Sequence, residues 1–566
     1  MDQRTVLALT LSFVLLLLYQ VYLSLYVPTP SQTSVALSGA ESGAAVANKP
    51  LPEAGSVLSQ SLTAPTQLAQ LVPSTRRDRE GQNDSQYASF SNRVMSGRIS
   101  LVGAQLVELQ LLQYRESLVG GAEPVQLFST EMARFLVEEG GFLNSNNVAM
   151  PTRQSQWRVE GSSHIDNQGR LRLVWNNNTG LLFEKIYELE ADSYALKIED
   201  RISNQGTLPV SAHHYVHLLR TRPAAHEASM QSNWGFEGPM GFFRGTRSQQ
   251  GSGDSRVQQD YETLLKSDAH EEAQGGWIGF SDKYFLAALV PGTEKFVRKF
   301  YFDHDAPVFR TGIVSPQQLI TPGAHQSIRH TLFMGPKRLD LLKEQNMGLD
   351  RSIDYGWFHF LAEPLAQLLQ FFNRFVHNYG IATILLTILV RLLVYPLTKK
   401  SSQAMNAMKQ LQPEMEALKK RYADDKARLN QEVMQLYQKN GANPLAGCLP
   451  ILLQLPVFVA LYNVLYLSVE MRHAPFFWWI QDLSAMDPYY VLPILMGASM
   501  LIQTKLNPAP ADPVQAKVFL FLPVIFTVMF LSMPSGLMLY WLVSNIIGIA
   551  QQMYLMKQLE SHNNNQ

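Results

Sequence analysis

Cysteine is nearly absent: Cys448 is the one such residue among 566. That excludes an internal disulfide and any cysteine-based metal cluster. Cys448 lies in an apolar stretch and reads as a small buried hydrophobe. An excess of either charge is missing too, since 47 Lys and Arg balance 47 Asp and Glu. Without a single-sign field, nucleic-acid binding is excluded as the main activity. No GxSxG elbow, Walker A loop or HExxH helix occurs. Nothing in the sequence calls for a cofactor, a catalytic group or a metal. Charge is also scarce within several long apolar blocks, so the neutral total hides a segregated chain. The length allows three or four domains.

The chain is organised around residues 379–400, YGIATILLTILVRLLVYPLTKK. From Gly380 to Thr398 every residue is apolar or hydroxyl-bearing except Arg391, over about the length that crosses a hydrocarbon core. A central arginine costs roughly 2.5 kcal/mol on insertion scales, and such residues by default face a bundle interior or a wet cavity. Thr383, Thr387, Arg391 and Tyr395 recur every fourth residue and share one helix face. Snorkelling to the near headgroups is the alternative, but Arg391 lies about 12 Å before Lys399, long for one side chain.

Other segments fall into place around this span. Residues 1–27 carry an apolar run too long for a signal peptide, with no small-residue cleavage site directly after it, and read as an uncleaved anchor. Arg4 precedes the run and no Lys or Arg follows before Lys49, which puts the N-terminus in the cytoplasm. Residues 28–93, rich in Ser, Ala, Thr, Gln, Gly and Pro, read as a tether. Residues 94–345 show short alternating runs, such as RLRLVW and YALKIEDRI, broken by turn residues. They predict a large antiparallel β-sandwich outside the cytoplasm. His213, His214 and His217 cluster there, and His213 and His217 would share a strand face, but spacing supplies no third metal ligand.

Residues 354–376 predict an aromatic amphipathic helix lying on the membrane, with Trp357, Leu361, Leu365, Leu368, Phe372 and Phe375 in rhythm. The span 377–398 then leads inward. Residues 399–443 predict a charged helical hairpin broken at Pro413 and Ala-Asp-Asp. Nine Lys or Arg against five Asp or Glu over 398–443 suit the cytoplasmic side. The hairpin's apolar stripe either meets a partner or packs on itself. Four further spans are expected within 444–556, two of them short, followed by a tail over 557–566. Gln454 lies in the first of the four, and Tyr540, Trp541, Ser544, Asn545, Gln551 and Gln552 in the last. These polar groups either glue helices together or, with Arg391 and Thr387, wet a groove. No acid inside the five C-terminal spans pairs with Arg391, and no inverted repeat is evident, which argues against an ion-coupled transporter.

The block from VRLLVYPLTKKSSQAMNAMKQLQPEM to NPLAGCLPILLQLPVFVALYNVL, with APFFWWIQDLSAMDPYYVLPILMG and FLPVIFTVMFLSMPSGLMLYWLVSN, resembles the YidC/Oxa/Alb membrane-protein insertase family. The anchor, tether and sandwich resemble its Gram-negative branch in order and length. The resemblance implies a polytopic α-helical membrane protein of the bacterial inner membrane: an anchor plus a five-helix core. Both termini would be cytoplasmic, and the periplasmic sandwich would be of galactose-mutarotase-like supersandwich type. It implies an insertase and chaperone, not an enzyme, working without a cofactor through a hydrophilic groove open to cytoplasm and lipid. Arg391, Thr387, Gln454 and Trp541 match its substrate-binding groove. Expected partners are nascent membrane proteins, the Sec translocon, membrane lipids and, through cytoplasmic loops, the ribosome. The short, nearly neutral LMKQLESHNNNQ departs from relatives whose long basic tail docks the ribosome.

Overall fold

A computed structural model describes residues 84–144, 148–166, 169–223, 236–248, 251–292, 295–422, 425–440, 449–506 and 513–563. The anchor expected over 1–27, most of the tether, and Cys448 lie outside these residues. The chain divides into two compact units on either side of the Asp354–Tyr355 bond.

The first unit is built from strands whose apolar residues alternate inward. Among the described residues an eleven-stranded sheet runs Ala269–Gln274, Lys295–Asp303, Val308–Val314, Val210–Arg220, Leu136–Asn144, Gln105–Arg115, Met95–Ser100, Tyr87–Ser91 and His164–Asp166, with Gln318–Ile320 and Pro124–Phe128 paired beside it. A nine-stranded sheet runs Gly251–Gln258, Gly238–Ser248, Trp277–Ser281, Phe285–Pro291, His325–Pro336, Ala195–Asn204, Leu181–Leu189, Gly169–Asn176 and Arg158–Glu160. Side chains of the two sheets interdigitate, as where Phe142 meets Phe183 and Tyr114 meets Phe285. The pairings are antiparallel except one: Tyr87–Ser91 runs parallel to His164–Asp166. Tyr87–Ser91 also falls inside the stretch expected to be tether. Its YASFS buries Ala88 and Phe90 completely, a strand pattern too short to stand out among serines. Two short helices, α1 (Tyr261–Leu264) and α2 (Leu339–Glu344), complete the unit.

The second unit is helical. Helix α3 (His359–Val376) buries Ala362, Leu365, Ala366 and Leu369. Trp357, which precedes the helix, and Phe360, Phe371 and Phe375 are exposed, turned away from this packed stripe. Small residues let α3 pack closely and turn the large aromatics outward. Helix α4 (Tyr379–Gln410) continues twelve residues beyond the expected span end at Thr398, past Pro396, with no break at the double lysine. Helices α5 (Gln412–Arg421), with Pro413 in its first turn, and α6 (Lys426–Lys439), capped by Asp425 on the Arg428 amide, form the expected hairpin. Its stripe packs on itself at Leu411 and Met415, both buried, with Tyr437 Oη 3.1 Å from Met415 Sδ.

Helices α7 (Leu449–Leu467), α8 (Val491–Leu506), α9 (Pro513–Met529) and α10 (Ser535–Asn563) follow, and α10 runs on through most of the expected tail. Among the described residues, one helical stretch, Tyr379–Gln403, is long and apolar enough to cross a membrane; Gln454–Leu467, Val491–Leu506 and Val518–Ser532 are shorter apolar helices.

Candidate functional site

Two of the four polar positions expected on α4 are used up by the helix itself. Thr383 Oγ1 donates to the Tyr379 carbonyl at 2.8 Å, and Thr387 Oγ1 to the Thr383 carbonyl at 2.7 Å. A hydroxyl that captures its own i−4 carbonyl is satisfied without water or ligand. Both threonines are buried, so the shared face is closed along its first two turns. Thr387 therefore does not stand in an open groove with Arg391.

Arg391 is held differently. Its Nε and Nη2 both donate to Ser544 Oγ of α10, at 2.9 and 2.6 Å. One turn further along α10, Gly548 leaves the helix surface bare. A Cβ there would stand 3.5 and 3.6 Å from Nη1 and Nη2, and 3.6 Å from Gln503 Nε2 of α8. The guanidinium thus lies across a glycine beside an amide. One turn the other way, Tyr540 hydrogen-bonds Ser544, and its hydroxyl accepts from Gln454 Nε2 of α7 at 2.8 Å. A polar thread, Gln454–Tyr540–Ser544–Arg391, therefore crosses α7, α10 and α4. Among the described residues no carboxylate pairs with Arg391, and one serine oxygen takes two of its five donors. The half-buried cation keeps hydrogen-bonding capacity for an incoming polar group.

Trp541 stands beside this thread without joining it. Its ring lies 4.5 Å from Phe458, 4.8 Å from Phe530 and 6.2 Å from Phe526, in an aromatic cluster of α7, α9 and α10. Asn545 is buried and donates to Ser499 Oγ of α8 at 2.9 Å, so it joins helices. The fold brings Arg391 and Gln454 together, sets Trp541 alongside, and leaves Thr387 out. Tyr540 and Ser544 join helices, one of the two roles their sequence allows, but the spacing does not name Gln454 and Arg391 as their partners. Tyr540, Ser544 and Gly548 recur every fourth residue, the same spacing that marks Thr387 and Arg391.

The sandwich holds two buried polar clusters. On one face of the eleven-stranded sheet, Glu139 Oε1 accepts from Arg310 at 2.8 Å and Arg153 at 2.6 Å, and Arg310 also pairs with Asp303 at 2.7 Å. His213 and His217 share this face as expected, and His213 Nδ1 donates to the Ser315 carbonyl at 3.1 Å. His214 points to the other side, between the sheets, where its Nε2 lies 2.8 Å from Asp200 Oδ2. Asp200, His214 and His330 there place one metal-ligating atom each within 4.8 Å of the others. Sequence spacing did not reveal this set, because the three residues belong to three strands.

The family model for the 60Kd inner membrane protein matches residues 371–563, and that for the YidC periplasmic domain matches residues 88–368. The chain is 45% identical over 569 residues to a membrane protein insertase YidC from Magnetococcus marinus, covering 99% of both chains. It is 36% identical over 566 residues to one from Syntrophus aciditrophicus, covering 99% of this chain and 100% of that one. An active YidC insertase crystal structure aligns with TM-score 0.36 at 19% identity, covering 83% of this chain and 92% of the other. A galactose mutarotase related enzyme from Lactobacillus acidophilus aligns with TM-score 0.30 at 10% identity, covering 44% of this chain and 97% of that one. Structural likenesses this weak bear on nothing that follows. The sequence relationships, which span both units end to end, are of another order: the chain belongs to the YidC family of membrane protein insertases, polytopic proteins of the inner membrane.

Proposed function

We propose that the chain inserts nascent membrane proteins into the inner membrane and assists their folding, through a polar seat between α4, α7 and α10. The observation that carries this reading is Arg391, a half-buried cation in a span, braced by Ser544 and free of any carboxylate among the described residues. Moving a segment's polar flank through hydrocarbon costs several kcal/mol per unsatisfied group. A cation with spare donors, a nearby amide and a tyrosine hydroxyl shorten the dry path and attract acidic or polar tails. The short helices α8 and α9 lower the barrier further by local thinning. The apolar segment then partitions into lipid past the aromatic cluster around Trp541, with no nucleotide required.

The wider setting belongs to the same reading. Both termini and the α5–α6 hairpin lie in the cytoplasm and the sandwich in the periplasm. The basic excess of residues 398–443 supports the hairpin's side. Exposed Trp357, Phe360, Phe371 and Phe375 suit α3 to the membrane interface. The hairpin receives substrate and offers the ribosome a contact, and the Sec translocon shares part of the substrate load.

Photocrosslinkers at Gln454, Trp541 and Thr387 test the seat against a stalled ribosome–nascent chain of a short membrane protein. Gln454 and Trp541 should give adducts that vanish on release of the chain, and buried Thr387 few. Adducts only to neighbouring helices would make the polar thread structural glue. In parallel, Arg391→Glu should slow insertion of a substrate with an acidic tail about tenfold, the effect of roughly 1.4 kcal/mol. Unchanged insertion sinks the electrostatic part.

A further inference from the structure

The sandwich contains a second buried polar cluster, independent of the insertase seat. His214 lies on Val210–Arg220, Asp200 on Ala195–Asn204 and His330 on His325–Pro336, so residues of both sheets meet in the core. All three are at most 2% exposed. Asp200 divides its two oxygens between different neighbours. Oδ1 faces the Lys185 ammonium at 3.8 Å, while Oδ2 lies 2.8 Å from His214 Nε2 and 3.7 Å from His330 Nδ1. A hydrogen-bonded core pair explains Asp200 with His214. It does not explain His330, whose two ring nitrogens both lack a hydrogen-bond partner. A fully buried imidazole with two idle nitrogens, beside a carboxylate oxygen and a second imidazole, is costly unless a further partner engages it.

We propose that Asp200, His214 and His330 bind one divalent transition-metal ion, of zinc type, between the two sheets. Two imidazoles and one carboxylate, with a fourth position open, form a donor set that zinc accepts. Imidazole ligands favour zinc and its neighbours over calcium or magnesium, which take oxygen. Binding requires the proton of the His214–Asp200 hydrogen bond to leave, those two atoms to part by a few tenths of an ångström, and the His330 ring to move in towards both. Lys185, held also by Glu138 at 3.6 Å and the Gly140 carbonyl at 3.3 Å, stays on the Oδ1 side and orients the carboxylate. An ion here ties the two sheets together, so its binding free energy becomes stability of the sandwich.

The test uses the full-length protein in detergent, purified from zinc-replete medium, with metal content measured by mass spectrometry. About one zinc per chain is expected, falling at least tenfold in Asp200→Asn and His330→Gln. His213→Ala, on the same strand but the opposite face, should keep its metal. Since a variant could misfold, the parent itself is also stripped with chelator and titrated with Co2+. The visible ligand-field absorption of a four-coordinate site should appear at one equivalent, and zinc should abolish it. Metal at background after zinc addition, or no such absorption with Co2+, overturns the proposal. So does a zinc content that Asp200→Asn leaves intact.

Discussion

Glu139 is almost wholly buried between two guanidinium groups in the sandwich. Burial alone would push its carboxyl up, but Arg310 and Arg153 outweigh that and hold it at about 2, below the ordinary 4.5. The sign follows: Glu139 stabilises the fold in full above pH 4.5, and that contribution drains away as pH falls towards 2. His217, on the same face, is pushed down from 6.5 to about 3, chiefly by burial. It stays neutral when folded and takes up a proton when unfolded, so stability is full above 6.5 and falls below it by about 1.4 kcal/mol per pH unit. Urea unfolding compared at about pH 7 and about pH 5 should show a loss of which His217→Gln removes roughly 2 kcal/mol. An acid loss that the variant leaves untouched would contradict the assignment. In the membrane unit, Ser544→Ala should leave the Arg391 guanidinium without its one described acceptor. The cost is about 1.5–3 kcal/mol in stability, with insertion reduced in step with Arg391→Ala; intact insertion would show the serine to be dispensable. Arg391 was legible in the sequence because a lone cation in a span announces itself. Ser544, 153 residues away, was not, since only helix packing chooses it. Thr387 was placed on the right face, yet its hydroxyl's choice of its own backbone is a local competition that periodicity does not resolve.

At the scale of elements, the close approach of α8 and α9 rests on one glycine. A Cβ on Gly497 would stand 1.9 Å from Thr527 Oγ1, and that hydroxyl is fixed by its own bond to the Pro523 carbonyl at 2.7 Å. Gly497→Val must therefore part the two helices. A loss of about 1–3 kcal/mol is expected, read as a lower thermal midpoint in detergent, while a midpoint at or above the parent's would show that the seam yields freely. Small residues at such contacts are the usual device where helices pack without a hydrophobic drive between them. Helix existence was readable along most of the membrane unit, and helix extent was not. The double lysine at Lys399 marks the expected end of the span, not of the helix, and nothing in α4 stops the hydrogen-bond ladder before Gln410. Along α3 and the turn before it, Ala362, Leu365, Ala366 and Leu369 make the close contact, while Trp357, Phe360, Phe371 and Phe375 face out; periodicity marks the aromatic side but not the small residues that pack. In the sandwich, strands were legible from alternation, but not the sheet order that brings Asp200, His214 and His330 together.

At the scale of the molecule, the chain is two units with separate cores and separate chemistry. The sandwich fills its interior with residues such as Trp277, Phe183, Phe280 and Phe333 and pairs Glu139 with Arg310 and Asp200 with Lys185 within the unit. The helical unit has its own polar thread, whose every described member lies after residue 355. Because none of the proposed seat comes from the sandwich, insertion should depend on the helices alone. Replacing residues 94–336 by a short flexible linker, with α3 and everything after it kept, should leave insertion of a short membrane protein within about threefold of the parent, a change of well under 1 kcal/mol. Residues 84–93 then lose their strand partners and should become part of the linker, since Tyr87–Ser91 pairs with Met95–Ser100 and His164–Asp166 and buries Ala88 and Phe90 within the sandwich. Insertion is measured as protease protection of a tagged substrate in vesicles carrying equal amounts of each protein, so a loss of expression is not mistaken for a loss of activity. If activity collapses at equal protein levels, and Arg391→Glu in the parent has little effect, the chemistry belongs to the sandwich and the polar thread is packing. If activity persists and Arg391→Glu slows it about tenfold in both forms, the seat between α4, α7 and α10 suffices.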